Sequence, residues 1–140
     1  MSSSTKEYYT LGIGGTTTGD DLSVISGNNY SSVTTSTPTI TLTTGTSVII
    51  SISANIKDPT NTATTGFMSF VVSGASNIPA SDANSISAGL LSISGEAGSV
   101  SRTFRLTNLK SGLNTFTAVY KAVGGTRVNF SNRDIVVFPL

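Results

Sequence analysis

The chain has no cysteine, no histidine and no tryptophan, and only 11% of its 140 residues are charged. Without cysteine there is no disulfide scaffold, no thiolate metal site and no thiol nucleophile. Without histidine the usual general base and the commonest metal ligand are gone. A serine nucleophile would then need a lysine base, and no Ser-x-x-Lys falls in a helical context. A glycosidase needs two acids across a cleft, and the five Asp and two Glu are scattered through the sequence. Long apolar runs are missing too, so no segment reads as a membrane-spanning helix. These absences argue against an enzyme, against a cofactor and against a membrane protein.

What the chain does contain is small hydroxyls: 23 Ser and 22 Thr. Threonine is β-branched and suits a pleated, half-exposed surface, whereas Lys, Glu and Gln, which favour helices, are scarce. Alternating Ile, Val and Phe across most of the chain argue against disorder. The composition predicts one all-β domain of ordinary size. Its net charge is +1, far from the basic density of a nucleic-acid binder. Residues 1–70 carry a net −2 and residues 71–140 a net +3. That asymmetry suits either a basic face toward an acidic partner or outward positions on ordinary strands. The polar start, Met1 to Glu7, lacks an apolar signal core and predicts synthesis in a cytoplasm.

Residues 1–37 differ from the rest. Short apolar patches at 8–13 and 22–25 are interrupted by Gly12, Gly14, Gly15 and Gly19, which reads as an arm or loose ribbon. Gly12-Ile-Gly14-Gly15 resembles the start of a dinucleotide fingerprint, but Thr17 occupies the third glycine position and no helix follows. Asp20 and Asp21 have no further acid nearby to complete a calcium site. Asn29-Tyr-Ser and Asn129-Phe-Ser match the glycosylation sequon, with no secretion signal to give it meaning. From residue 38 to 140 the alternation sharpens. Strands are predicted at 39–43, 48–56, 67–72, 85–94 and 99–107, with Gly89 marking a bulge. The last two are 114–122 and 127–138, joined by a Gly124-Gly125 hairpin, with a kink near Ser131 and Asn132 where the apolar phase changes. Seven to nine strands with no helix predict an antiparallel β-sandwich or jelly roll.

The segment Gly112-Leu-Asn-Thr-Phe-Thr-Ala-Val-Tyr120, followed by the Gly-Gly turn and a final strand, resembles the C1q/TNF-like jelly roll. Phe130-Ser-Asn-Arg133 and Val137-Phe-Pro-Leu140 are similar to the closing strands of bacteriophage head-decoration (cement) proteins and fibre tips. No collagen-like stalk is present, which points away from spore or serum members of the C1q group. The resemblance covers about the last third of the chain. It implies a homotrimeric antiparallel jelly roll packed around aromatic residues, with Phe116, Tyr120, Phe130 and Phe138 as candidates for the trimer interface. Filling of the sandwich core is the alternative for these rings; it is the expectation for Phe104 and Phe116, with Tyr120 and Phe138 nearer the interface. It further implies a decoration protein on the outer surface of a virion, whose partner is the major capsid protein and which stabilises the head against internal pressure. The arm would then contact the capsid through Tyr8, Tyr9, Leu11, Ile13, Leu22 and Tyr30. The alternative reading is a fibre tip or lectin-like head that recognises a host glycan with loops 58–65 and 75–84. The scarcity of aromatics in those loops weighs against it.

Overall fold

The computed structural model describes residues 12–13, 22–31, 37–60, 62–90 and 97–140. Within them lie nine strands: β1 (Gly12–Ile13), β2 (Leu22–Ile25), β3 (Thr39–Thr44), β4 (Val48–Lys57), β5 (Thr64–Gly74), β6 (Ile86–Leu90), β7 (Ala97–Leu106), β8 (Gly112–Val123) and β9 (Arg127–Pro139). A single 3-10 turn, Asp82–Asn84, precedes β6. The protein is all-β, as its composition predicts, and among the described residues no helix is long and apolar enough to cross a membrane.

The strands form two antiparallel sheets stacked as a sandwich. One has the order β7-β4-β9, with β1 and β2 both pairing with the far edge of β9; the other runs β3-β8-β5-β6. Pairing is nested: β9 takes β1 and β2, β8 takes β3, β7 takes β4, and β6 takes β5. The additional pairs β4–β9 and β5–β8 complete the two sheets.

Period-two alternation explains the layers. On β4, Val48, Ile50, Ile52, Ala54 and Ile56 are buried while Ile49, Ser51, Ser53 and Asn55 are only partly covered, as the sequence pattern predicts. On β8 the inward set is Asn114, Phe116, Ala118, Tyr120 and Ala122. Phe70, Phe116, Tyr120 and Phe130 are completely buried between the sheets, with Tyr120 and Phe130 ring centroids 5.0 Å apart. Each such side chain contributes about 1.5–3 kcal/mol by leaving water. This corrects the interface assignment for Phe116, Tyr120 and Phe130: they point inward from facing sheets and leave no surface for another subunit. Phe138 alone of that set stays partly exposed, on the outer face of the larger sheet. Phe104 packs half-buried against the core, its ring centroid 6.1 Å from that of Phe70.

The predicted kink in the last strand is a β-bulge. Ser53 pairs with Asp134, but Asn55 pairs with Ser131, and Asn132 adopts φ 49°. Asparagine tolerates this left-handed conformation better than most residues. The extra residue shifts the phase: Val128 and Phe130 face inward before it, Ile135 and Val137 after it. It also turns Arg133 into the core, where the side chain is 1% exposed. There Nη1 donates to Tyr120 Oη at 3.2 Å, and Nε has no partner among the described residues.

Two expectations are overturned. The Gly124-Gly125 turn is not a hairpin, because β8 and β9 belong to opposite sheets; residues 124–126 carry the chain across the sandwich. The Ser111-Gly112 corner does the same between β7 and β8. Strands facing each other across a core alternate like strands side by side, so the pattern alone favours the commoner hairpin. The described part of the 1–37 arm also differs from a loose ribbon: β1 and β2 occupy the otherwise open edge of β9, and Leu22 and Val24 pack on the core. Tyr8, Tyr9 and Leu11 lie outside the described residues, as do Asp20 and Asp21, and the side chain of Ile13 is not described.

The crossing turn is confined by its surroundings. Gly124 and Gly125 have φ +73° and +51°, and a Cβ on Gly125 would overlap Thr64 Oγ1 and come within 2.7 Å of the Ala63 carbonyl oxygen. At Gly124 the nearest atom would be 3.4 Å away. Gly124→Ala should therefore cost about 1 kcal/mol, the left-handed backbone alone. Gly125→Ala should cost about 2 kcal/mol or more, because it also displaces the 62–64 segment. Urea denaturation of both variants checks the order, which equal losses would contradict.

Candidate functional site

The outward residues of β5 and β8 would form a flat face, but two segments rise over it. The first is the strap 26–31, which leaves β2 and runs along β8. Gly27 N donates to the Ala122 carbonyl at 2.8 Å, Ser31 N to the Tyr120 carbonyl at 2.9 Å, and Tyr120 N to the Ser31 carbonyl at 3.3 Å. The Ser26 hydroxyl donates to the Gly124 carbonyl at the strap's start.

The second segment is the β5–β6 connection, 75–85, which folds back over its own strand. Ile78 and Val72 exchange backbone hydrogen bonds of 3.0 and 2.9 Å. Ser69, on the outward phase of β5, is buried beneath the loop and donates to the Asn84 carbonyl at 2.7 Å. From outside, Arg102 Nη1 donates to the Ala83 carbonyl at 2.7 Å. A serine of β5 and an arginine of β7, from the two different sheets, thus hold the loop in place.

Between strap and loop lies a cleft of about 660 Å³, within the range of small-molecule sites. Val71 and Val119 belong to its floor, and Asn28, Asn29, Tyr30, Pro79, Ser81, Asp82 and Lys121 line the rest. Tyr30 and Asp82 join the two walls: Tyr30 Oη donates to Asp82 Oδ1 at 2.7 Å. Lys121 Nζ reaches the same oxygen at 2.8 Å. Its ammonium sits 4.7 Å from the ring centroids of both Tyr30 and Phe67, so one cation is held by a carboxylate and two aromatic rings.

The electrostatics follow from these contacts. Hydrogen bonding to Lys121, then to Tyr30, holds the Asp82 carboxyl below its ordinary range. Burial, reinforced by the Asp82 acceptor, pushes the Tyr30 phenol above the usual tyrosine range. Tyr120, in the core, is also raised by burial, and its hydroxyl lies 2.9 Å from Thr37 Oγ1. At neutral pH the cleft therefore holds an ionised carboxylate and a neutral phenol.

Sequence reasoning places Tyr30 on a capsid-binding arm and Asp82 in the 75–84 loop of the alternative glycan site. The structure engages Tyr30 and Leu22 within the protomer, Leu22 against the core and Tyr30 across the cleft. Of the two loops expected to form a glycan site, 75–84 lines the cleft and 58–65 does not. Asp58 in the latter is fully buried in its own turn, where its Oδ1 accepts from Thr60 N at 2.8 Å and Thr60 Oγ1 at 2.9 Å. Thr62 in that loop bonds Thr126 across the crossing turn, and neither residue lines the cleft.

The chain matches no known protein-family model and no curated protein sequence.

Two outcomes follow. The Asp82 carboxyl should titrate below 3.8, its ordinary value, and Lys121→Met should move the midpoint back up. A depressed carboxylate stabilises the fold above its unfolded value and loses that contribution as pH falls through its lower folded value. The strap-to-loop bridge should therefore persist at pH 5 and open only below 3.8, as carboxyl-detected NMR would show. In the core, Tyr120→Phe removes a hydrogen-bond partner from the buried Arg133 and should cost about 1–3 kcal/mol, read by urea denaturation.

Proposed function

We propose that the sandwich is a jelly roll and that it serves as a structural protein of a virus particle. In this reading it is a trimeric decoration protein on the outer capsid surface. The observation that carries the jelly roll is the nested pairing. If β1 and β2 count as one broken strand, eight positions pair first with last, second with seventh, third with sixth and fourth with fifth. A long antiparallel hairpin wound into two sheets gives that order, and jelly rolls of this kind recur in viral capsid and lectin domains. The order is also compatible with the C1q/TNF-like resemblance of the last third of the chain.

For the three-fold contact the outer face of the larger sheet is the best candidate. Phe138 and Val136 lie two residues apart on one face of β9, and Ile49 is opposite Phe138 on β4, all half-buried. Burial of Phe116, Tyr120 and Phe130 favours this face for the contact. In this reading the segment preceding β1, with Tyr8, Tyr9 and Leu11, meets the major capsid protein. A stable contact of this kind buries on the order of 1,000 Å² or more. Arm and trimer acting together would multiply weak contacts by avidity. In function the protein would clamp neighbouring capsid subunits against the pressure of packaged DNA, with no catalytic step.

Light scattering on the full-length protein tests the assembly. A trimer has three times the 14.3 kDa protomer mass, about 43 kDa. Phe138→Asp should return it to one protomer without loss of the β-sheet circular dichroism signal. A wild-type monomer would remove the three-fold contact. With the trimer in hand, deletion of residues 1–11 should abolish co-sedimentation with capsid shells and leave the mass per protomer count unchanged; undiminished co-sedimentation would overturn the clamp.

A further inference from the structure

We infer that the cleft between the 26–31 strap and the 75–85 loop is a binding site for an uncharged saccharide. The inference is independent of trimer formation and of capsid binding.

The first reason is shape and size. A cleft of about 660 Å³ accepts a sugar ring or two, and it is open along the sheet face so that a longer chain can extend out of it. The second is the arrangement of its chemistry. Sugars present apolar C–H faces and a rim of hydroxyls, and they are held by aromatic or aliphatic surface beside fixed donors and acceptors. Val71, Val119 and Pro79 supply the aliphatic surface, and Tyr30 supplies a ring. The rim holds the Asn28 and Asn29 carboxamides, the Ser81 hydroxyl and the Asp82 carboxylate.

The third reason is that one polar group, the Asp82 carboxylate, is held before a ligand arrives. Asp82 Oδ1 is occupied by Tyr30 Oη and Lys121 Nζ, and Oδ2 has no partner among the described residues. A carboxylate clamped through one oxygen presents the other in a set direction, ready to accept from a hydroxyl. Such preorganisation lowers the entropic cost of binding.

Charge selects the ligand class. Lys121 is the only cation in the lining among the described residues, and Asp82 neutralises it while two rings lie beside it. Its side chain is 12% exposed. Among the described residues no free cation then remains in the lining to attract a sialylated or sulfated glycan, and the free oxygen of Asp82 would repel one. The geometry selects neutral hexose- or fucose-terminated chains. Tyr30 also supplies an aromatic group that loop 75–84 lacks in the sequence; it arrives from the strap, 52 residues earlier than Asp82.

The test is a glycan array bearing neutral, sialylated and sulfated oligosaccharides, probed with labelled full-length protein and followed by titration calorimetry with the best neutral hit. Neutral ligands should bind, and two-dimensional NMR should place their shift changes at residues 28–30, 79–82 and 121. Asp82→Ala should weaken binding about ten-fold or more, the scale of losing a hydrogen bond to a charged group. Ser81→Ala, which leaves the bridge intact, should weaken it by a smaller factor while preserving the melting temperature. An empty array, binding confined to acidic glycans, or affinity unchanged in both variants would each overturn the proposal.

Discussion

The sandwich depends on the bulge in β9. This strand is the hub of the larger sheet, carrying β1 and β2 on one edge and β4 on the other. A strand of thirteen residues with strict alternation would present one face throughout, yet its apolar residues change parity between Phe130 and Ile135. Asn132, with φ 49°, absorbs the mismatch. Without that extra residue, either Val128 and Phe130 or Ile135 and Val137 would face solvent. Four fully buried side chains thus rest on one left-handed asparagine. The same device buries Arg133, whose contact with Tyr120 links the hub to the opposite sheet.

A second point of convergence lies at the end of the sandwich where β3, β5 and β7 finish. Asn114, fully buried, accepts from Ser76 N at 2.8 Å through Oδ1. Through Nδ2 it donates to Thr44 Oγ1 at 2.8 Å and to the Lys110 carbonyl at 3.0 Å. One carboxamide thereby ties three connections that are far apart in sequence. Because its amide nitrogen and oxygen are both used, the network is satisfied, the condition under which a buried polar group fixes a structure instead of weakening it. The opposite end is held by the crossing turn at Gly125 and the Thr62–Thr126 bonds. Between these two fastenings the outer face of the smaller sheet is left to carry the strap, the loop and the cleft.

The strands were legible in the sequence wherever alternation is local. Val48 to Ile56 reads directly as β4, and the phase change at Ser131 and Asn132 reads as the bulge. Sheet membership was not legible. Phe116, Tyr120 and Phe130 have the alternation of a buried face, but alternation does not state whether a core or a neighbouring subunit covers it. Gly124-Gly125 has the chemistry of a tight turn, which serves a hairpin and a crossing between sheets equally well. The cleft was legible only in part. The 75–84 loop could be singled out, but Tyr30, Asp82 and Lys121 come from three separate segments and meet only because the strap and the loop fold over the same two strands. No local pattern encodes such a meeting.

The nested pairing has a consequence for how the chain folds as it is made. The innermost pair, β5 with β6, is joined by a short connection and can form as soon as residue 90 is available. Each further pair encloses a longer loop, and the outermost joins Gly12 to Val137. Loop closure of that span is slow, and such topologies lie at the slow end of single-domain folding. On the ribosome β9 is made after its partners, so until it emerges β4 waits with one edge open and β1 and β2 have no strand to pair with. Until β9 is made the nascent chain thus carries a hydrophobic strand, Val48 to Ile56, with one of its two edges unpaired.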